Sequence, residues 1–230
     1  MSCFAGPEIV EDGLVLSLDA GNSKSYPGSG TTWTDLSGNS NNGTLVNGVG
    51  YNGSNLGSLS FDGIDDYGSV TTGIPDTGDF TIGFIYQLTG TGGRGGLFER
   101  KPSLPFNGFS FGQGGSNDWS FTVSGTSDYN NLIQVFFTYP TTNTWYYDVG
   151  IYSNGNTVTN YRNGSFINST TGVSQGNLST QGTRTNFLIA NRDNFTPLPC
   201  IVSQVSIYNK ALTSSEVQKN FNALRGRFGL

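Results

Sequence analysis

Histidine is absent from this 230-residue chain, and charged side chains make up only 12% of it. Without histidine the chain cannot form a serine–histidine or cysteine–histidine nucleophile system, and histidine-based metal sites are excluded as well. The lysines and arginines are few and mostly scattered, whereas nucleic-acid binding needs a concentrated basic face. The sequence therefore argues against these catalytic systems and against a nucleic-acid partner.

Long apolar runs are also missing from the chain. No stretch approaches the roughly 20 apolar residues that a membrane-spanning helix needs, so we expect no membrane segment. The first residues, MSCFAGPEIVEDG, carry neither the basic nor the apolar region of a secretory signal. We therefore expect a protein made without a secretory leader.

Cysteine is scarce, since Cys3 and Cys200 are the only two in the chain. Two cysteines are too few for a disulfide scaffold, and these lack the spacing of a zinc site. They are either unpaired thiols, as is usual in a reducing compartment, or one long-range bridge that ties the N-terminus to the body of the domain. The sequence leaves both alternatives open.

What the chain does contain favours β-structure. Glycine occurs 34 times, aromatic residues make up 13%, and Asn, Ser and Thr are abundant throughout. Aromatic and β-branched residues suit strands, while Asn-Gly and Ser-Gly pairs suit the turns between them. Turn signals recur about every ten residues, the spacing expected of a sandwich or jelly roll. We see no hinge between two domains, so we predict one all-β domain over residues 13–230, preceded by a polar N-terminal arm over residues 1–12.

The strands can be placed individually from alternation and turn signals. Within WYYDVGIYSNG, alternate residues from Trp145 to Ile151 fall on one face, which we expect to face the core. Asn163-Gly164 predicts a type I′ hairpin turn. The predicted strands are Leu14–Leu18, Ser58–Phe61, Tyr67–Thr71, Phe80–Gln87, Gly95–Arg100, Gly108–Gly112, Trp119–Ser124, Leu132–Thr138, Trp145–Tyr152, Thr157–Arg162, Ser165–Asn168, Asn186–Ala190 and Ile201–Tyr208.

One helix is predicted, at the C-terminal end of the chain in TSSEVQKNFNAL. Thr213 and Glu216 have the spacing of a capping box. Val217, Phe221 and Leu224 then recur at the spacing of a single apolar stripe. The segment RGRFGL that follows is expected to pack back on the sandwich, because an exposed Phe beside a terminus would be a hydrophobic liability.

Several stretches, taken together and in this order, resemble laminin-G-like domains of the concanavalin A-like lectin/glucanase superfamily. The resemblance covers the chain from about Gly13 to Phe221 and implies two antiparallel sheets packed as a jelly roll. The stretches are GLVLSLDAGN, TWTDLSGNSNNGTL, LSFDGIDDYGSV, DFTIGFIYQL, WYYDVGIYSNGNTVTNYRNGSFI and VSIYNKALTSSEVQKNF.

The two ends of the chain suggest a narrower likeness. GPEIVEDGLVLSLDAGNSKSYPGSGTTWTDLSG and YNKALTSSEVQKNFNALRGRFGL resemble laminin-G-like structural proteins of marine tailed phages, especially cyanophages. Bacterial secreted relatives tend to carry an acidic pair before the Tyr-Asn of the last strand, where this chain has Ser203-Gln204. This departure favours the phage type.

Enzyme activity is not expected. The glucanases of the superfamily hydrolyse with paired glutamates on one strand, and a retaining pair lies about 5–5.5 Å apart. The glutamates of this chain are Glu8, Glu11, Glu99 and Glu216, and no strand carries a Glu-x-Asp-x-Glu set. We interpret the chain as a non-enzyme.

The stretch SLSFDGIDDYGSV is the first candidate for a metal site, with Ca²⁺ as the candidate cofactor. Its aspartates, Asp62, Asp65 and Asp66, do not fit an EF-hand loop, which needs alternating oxygen ligands and a closing Glu. They fit a simple turn between two strands. Laminin-G-like domains often hold calcium at the sandwich rim, so the resemblance implies these three as ligands, with Asp19 and Asp193 as partners from other loops. Both interpretations stay open.

Exposed tryptophans are the candidates for glycan binding, because an aromatic ring can stack on a sugar. Trp33 and Trp119 lie near polar loops, and Asn117 and Asp118 stand beside Trp119 to supply hydrogen bonds. Trp145 begins a core-facing alternation and is expected to be buried. The alternative for all three is packing in the core or at its rim, since tryptophan is highly buried on average.

Two functions compete on these grounds. In the first, the chain is a structural component of a phage virion, a capsid decoration or a tail- or fibre-associated module that contacts other virion proteins through its N-terminal arm. In the second, it is an adsorption module that recognises a host surface polysaccharide. The protein would be made in the host cytoplasm and located in the virion, as a trimer by analogy with fibres and spikes.

Overall fold

The computed structural model describes residues 8–54, 57–71, 77–91, 96–100, 108–113, 119–124, 132–173, 186–191 and 197–230. The strands in these ranges are β1 Leu14–Asp19, β2 Thr32–Trp33, β3 Gly43–Val46, β4 Gly50–Asn52, β5 Ser58–Phe61, β6 Tyr67–Val70, β7 Phe80–Leu88, β8 Gly96–Arg100, β9 Gly108–Gln113, β10 Trp119–Ser124, β11 Ile133–Phe137, β12 Trp145–Ser153, β13 Thr157–Arg162, β14 Ser165–Thr171, β15 Phe187–Ile189 and β16 Cys200–Tyr208. They are followed by the helix α1, Ser214–Leu224, and a 3₁₀ turn, Arg225–Arg227.

The strands pair into two antiparallel sheets. Sheet I has the order β14-β13-β12-β7-β16-β5-β4, with β1 beside β16, and sheet II has the order β11-β10-β9-β8-β15-β6-β3-β2. On one side β16 pairs with β7 along its whole length, and on the other it is shared by β5 and β1. The predicted all-β sandwich of two antiparallel sheets with a C-terminal helix is thereby confirmed.

The main core lies between the two sheets and is rich in aromatic side chains. Successive residues of a strand point to opposite faces, so a strand that lies between the sheets can contribute every second side chain to this core. Phe84, for example, has its ring centroid 4.4 Å from that of Phe98 in sheet II and 4.5 Å from that of Phe111. The largest fully buried side chains are Trp33, Trp119, Tyr86, Tyr147, Tyr152, Tyr208, Phe61, Phe80, Phe84, Phe98, Phe109 and Phe111.

A second apolar cluster lies on the outer face of sheet I, where α1 covers it. The rings of Tyr147 and Phe221 stack with centroids 6.2 Å apart, and Trp145 meets Phe228 at 4.9 Å. Tyr147 and Val149 therefore face the helix rather than the other sheet, which corrects the expectation that their set faces the main core. The buried Phe228 confirms that the C-terminal segment packs back on the sandwich.

The segment before β1 also packs on this outer face. Val10 is buried in the second cluster, and its backbone N–H donates to Oδ1 of the buried Asn220 on α1 at 2.7 Å. Lys210 joins Asp12 to Glu216, the acidic member of the helix's capping box. In the part of the chain that the structure describes, no helix has the length and apolar character to cross a bilayer.

Candidate functional site

The turn between β5 and β6 crosses from sheet I to sheet II at the rim of the sandwich and carries the aspartate cluster. Gly63 has φ +77° in this turn, and a Cβ added there would lie 2.7 Å from Cδ of Pro199. Only glycine fits this position without strain. The close packing fixes the path of the backbone between Asp62 and Asp66.

The three carboxylates of the turn converge. One carboxylate oxygen from each of Asp62, Asp65 and Asp66 lies within 4.8 Å of the others. Oδ1 of Asp62 accepts from the N–H of Ile64 at 2.7 Å, and Oδ2 of Asp66 accepts from the N–H of Asp62 at 3.2 Å. Asn47 donates its side-chain amide to the carbonyl of Asp65 at 2.9 Å. The chain therefore presents an acidic triad on a braced loop.

The electrostatics of the triad fit a hard cation. Burial of Asp66 raises its pKa above the ordinary 3.8, the N–H of Asp62 lowers it, and the neighbouring charges of Asp62 and Asp65 raise it further. A bound cation would offset this mutual repulsion. Calcium takes six to eight oxygen ligands, so the triad could hold such an ion only with waters or carbonyls completing the shell.

Of the two further aspartates proposed as partners, Asp19 does not lie with the triad. Asp19 forms a bidentate ion pair with Arg227, Nη1 to Oδ2 at 2.6 Å and Nη2 to Oδ1 at 2.9 Å. Its charge is already balanced there, so its placement differs from the expected role as a calcium ligand. Asp193 lies outside the described residues.

The tryptophans expected to stack on a sugar are both fully buried. Trp119 and Trp33 each have 0% exposed surface. Trp119 stacks on Tyr86 of sheet I with centroids 5.6 Å apart and meets the edge of Tyr139 at 5.8 Å. A ring with no exposed face cannot stack on a glycan. Trp33 and Trp119 therefore pack in the core, which was the alternative to sugar binding.

Four other residues singled out in the sequence remain to be placed. Asn117 and Asp118 lie outside the described residues. Cys200 is a buried free thiol whose pKa is raised by burial. Cys3 lies outside the described residues as well, and because Cys200 is a free thiol the bridge between the two is not formed.

A buried charged network was missed by sequence reasoning. Asp148, with no exposed surface, accepts from Nε and Nη2 of Arg162 at 2.7 Å each and from the hydroxyl of Tyr86 at 2.8 Å. Arg162 also donates to the carbonyl of Thr138 at 2.7 Å, and its guanidinium lies 4.5 Å from the ring centroid of Tyr146. The network joins three strands of sheet I and reaches Thr138, the residue that follows β11 of sheet II.

A second missed residue is Asp35, in the stretch TWTDLSGNSNN. Its buried carboxylate accepts from the N–H of Ser17 at 2.8 Å, from the N–H and hydroxyl of Ser37 at 2.9 and 2.7 Å, and from the N–H of Asn41 at 3.0 Å. An Asp followed by Ser, Gly and Asn is a signal for such local bonds. This loop is anchored on β1 through its aspartate.

Comparison with known protein families gives one match that spans most of the fold. The family model Laminin_G_3, described as concanavalin A-like lectin/glucanases superfamily, matches residues 61–218. The matched range runs from the end of β5 into α1. No curated protein matches the chain by sequence.

Solved structures with a similar fold include the binding domains of bacterial toxins. The binding domain of Paraclostridial Mosquitocidal Protein 1 superposes with a TM-score of 0.69 at 18% identity, over 93% of this chain and 52% of that one. The botulinum neurotoxin serotype D binding domain gives 0.71 at 12% identity, over 94% and 53%.

A third structure comes from work on botulinum neurotoxin type C, whose cell entry depends on interaction with two ganglioside molecules. It gives a TM-score of 0.68 at 18% identity, over 94% of this chain and 52% of that one. The chain therefore spans about half the length of the toxin structures that it matches. At these identities the likeness shows a shared fold.

Proposed function

The chain belongs to the concanavalin A-like lectin/glucanase superfamily, and from this premise we propose that it is a non-catalytic carbohydrate-binding module. The observation that carries the proposal is the family match across residues 61–218. The similar solved structures add support, because they are binding domains of toxins. Recognition of a glycan without chemistry is the function that this combination favours.

The placement of the glutamates supports binding rather than hydrolysis. Glycoside hydrolysis needs two carboxyl groups about 5–9.5 Å apart across a bound sugar. Glu8 and Glu11 precede β1, Glu99 lies on β8 in sheet II, and Glu216 lies in the first turn of α1 on the outer face of sheet I. Among the described residues, no two glutamates share a strand.

The acidic triad is proposed as a calcium site that supports this module. Asp62, Asp65 and Asp66 would hold the ion, which would brace the rim turn between the two sheets. The chemistry that the ion supplies is charge balance for carboxylates that repel one another. No step of recognition is assigned to it.

The test of the proposed function is a glycan array probed with labelled protein in the presence of calcium. We expect saturable binding to a subset of glycans, competed by the free oligosaccharide. Chromatography of the same glycans after incubation should show no new products. An array with no bound glycan, or release of hydrolysis products, would contradict the proposal.

A role in a phage particle stays a prediction, supported by the two terminal sequence stretches. In that setting the module would mediate adsorption to the host polysaccharide or decorate the virion. Immunogold labelling of purified particles tests it. Gold at tail or fibre tips is expected for adsorption, gold over the shell for decoration, and particles without gold would remove the virion role.

A further inference from the structure

The strand that ends sheet I on one side is longer than the strands that end the sheets elsewhere. Within the described ranges, the two sheets end at β14, β4, β11 and β2. β14 has seven residues, whereas β11 has five, β4 has three and β2 has two. Natural sheets keep their end strands short, charged or covered, because the free backbone groups of such a strand can pair with another chain. β14 is long enough for such pairing.

The sequence of β14, SFINSTT, contains no charged residue and no proline. Six of its seven side chains are exposed and the other is half-buried. Phe166 is 58% exposed and Ile167 is 42% exposed. Charged residues or proline at such positions normally prevent two sheets from joining edge to edge. A neutral strand with exposed apolar side chains lacks this protection.

β14 is held in an extended conformation by its neighbour β13. The two strands pair antiparallel. Hydroxyl groups join them side by side, because Oγ1 of Thr157 lies 3.1 Å from Oγ1 of Thr171, and Oγ1 of Thr159 lies 2.8 Å from Oγ of Ser169. A strand that is already ordered loses little conformational entropy when a further strand pairs with it.

A bulge lies in the first half of β14. Phe166 stands opposite Tyr161 and Asn168 stands opposite Asn160, so Ile167 has no counterpart on β13. A bulge interrupts the ladder and twists the strand locally. The part of β14 from Asn168 onward is therefore its regular edge, and the exposed Ile167 lies directly beside it.

A backbone donor of this regular part is satisfied by a side chain instead of a strand. The N–H of Ser169 donates to Oδ1 of Asn168 at 2.8 Å. Gly172 donates its N–H toward β13, to the carbonyl of Asn156 at 2.9 Å. Because backbone groups alternate in direction along a strand, the N–H of Ser169 points away from β13. The amide of Asn168 thus occupies a place that the carbonyl of an added strand would take.

The distribution of charge permits contact between two copies at this edge. The net charge of −5 opposes association of the chain with itself. However, β14 is neutral, and the acidic triad of the β5–β6 turn lies five strands away in sheet I, about 24 Å. Exposed charges are largely screened beyond about 8 Å at physiological ionic strength. Arg162 on β13 is balanced by Asp148.

We propose that two copies of this chain associate through β14, antiparallel about a two-fold axis, so that sheet I continues from one copy into the other. The strand pairs of sheet I are antiparallel, and the new pair extends that pattern. An antiparallel neutral strand is its own complement, since the donors of each copy meet the acceptors of the other. A strand of a different protein would have to match this edge, whereas a second copy matches it by symmetry.

A two-fold contact of this kind closes as a dimer, in contrast to the trimer expected by analogy. Seven residues at ~3.4 Å each give an edge about 24 Å long. Interfaces that bury less than about 1,200 Å² belong to weak or transient complexes. We therefore expect a dimer that dissociates on dilution. This association does not depend on carbohydrate binding, so either proposal can fail without the other.

The test measures association of the full chain and locates the contact. Sedimentation equilibrium over a range of concentrations measures the dissociation constant, and hydrogen exchange at low and high concentration shows which amides become protected. Ile167→Lys and Thr171→Lys place a charge at either end of the regular edge. Tyr51→Lys is the matched control, because Tyr51 is 39% exposed on β4, which ends the same sheet on its other side. Melting midpoints verify folding.

The wild type is expected to dimerise as its concentration rises, with slower exchange of the β14 amides. Ile167→Lys and Thr171→Lys should each raise the dissociation constant about tenfold, because like charges across paired strands repel and a two-fold contact contains each substitution twice. Tyr51→Lys should dimerise as the wild type does.

Two results would overturn the proposal. A wild type that stays monomeric at every concentration, with unchanged exchange of the β14 amides, excludes self-pairing and leaves the edge to a strand of a different protein. A dimer that both β14 variants form as readily as the wild type, or whose protected amides lie outside β14, shows that the copies meet elsewhere.

Discussion

The buried carboxylate of Asp148 has a charged partner, Arg162. It has no exposed surface, and its charge is matched by the guanidinium of Arg162. Burial lowers the pKa of Arg162, but the hydrogen bonds and charge of Asp148 outweigh this and raise it above its ordinary value. The pKa of Tyr86 is raised well above 10.0 by burial and by the charge of Asp148. Arg162 therefore stays protonated and Tyr86 stays neutral across the physiological range.

Removing the arginine leaves the carboxylate buried and unpaired. We expect Arg162→Met to lower the free energy of unfolding by about 3–5 kcal/mol, measured by urea denaturation. Lys210→Met, which breaks an ion pair at the surface, should lower it by about 1 kcal/mol or less. Equal free energies of unfolding for the two variants would show that the interior ion pair contributes no more to stability than the surface pair does.

Sequence reasoning found the strands of Asp148 and Arg162 but not their pairing. The two residues stand opposite each other in the β12–β13 register, which alternation alone does not determine. The ion pair of Asp19 was missed for a related reason. Its partner Arg227 is 208 positions away in the chain, and only the folded C-terminal segment brings it close.

Among the secondary-structure elements, the longer strands were predictable and the short ones were not. Every predicted strand has a counterpart, and Thr213 caps α1 with the predicted capping box. The short strands β2, β3 and β4 were missed, because they lie in Gly- and Asn-rich sequence that reads as turn. Pairing with longer strands, rather than intrinsic propensity, makes these segments extended.

The β5–β6 turn gives a prediction at the scale of one element. We expect calcium to raise the melting midpoint relative to excess chelator, because the ion offsets repulsion within the triad. Asp62→Asn and Asp65→Asn should reduce that increase, whereas Glu11→Gln, an exposed acidic residue before β1, should not. Equal midpoints of the wild type in calcium and in chelator would remove the metal.

Asp66 in this turn determines how the stabilisation by calcium depends on pH. The raised pKa of Asp66 means that the metal-free native state holds its proton more tightly than the unfolded chain does. Stability therefore falls as the pH rises from 3.8 through the raised value. Calcium binds the ionised carboxylates, so its stabilisation should be absent below this window and complete above it.

At the scale of the whole molecule, the two terminal segments share one face. Val10 and the helix residue Asn220 meet on the outer side of sheet I, and Phe228 of the C-terminal segment is buried there too. The sequence suggested an arm over residues 1–12 that docks on another protein. Its described part contacts the chain's own helix, which no local pattern could reveal.

Deletion of residues 1–12 is expected to leave the sandwich folded but less stable. Loss of the buried Val10 alone should lower the free energy of unfolding by about 1.5–3 kcal/mol, and Asn220 would lose its backbone donor. Urea denaturation of the truncated chain measures this loss, with Val10→Ala expected to reproduce most of it. A truncated chain as stable as the full one would show that the segment contributes nothing to the fold.

The shared face of the terminal segments has a consequence for how the module would be displayed. A linker leaving from either end of the described chain would depart on the side of sheet I that carries α1. The outer face of sheet II is the opposite side of the sandwich. Whatever carrier holds the module by its ends, the outer face of sheet II would point away from that carrier.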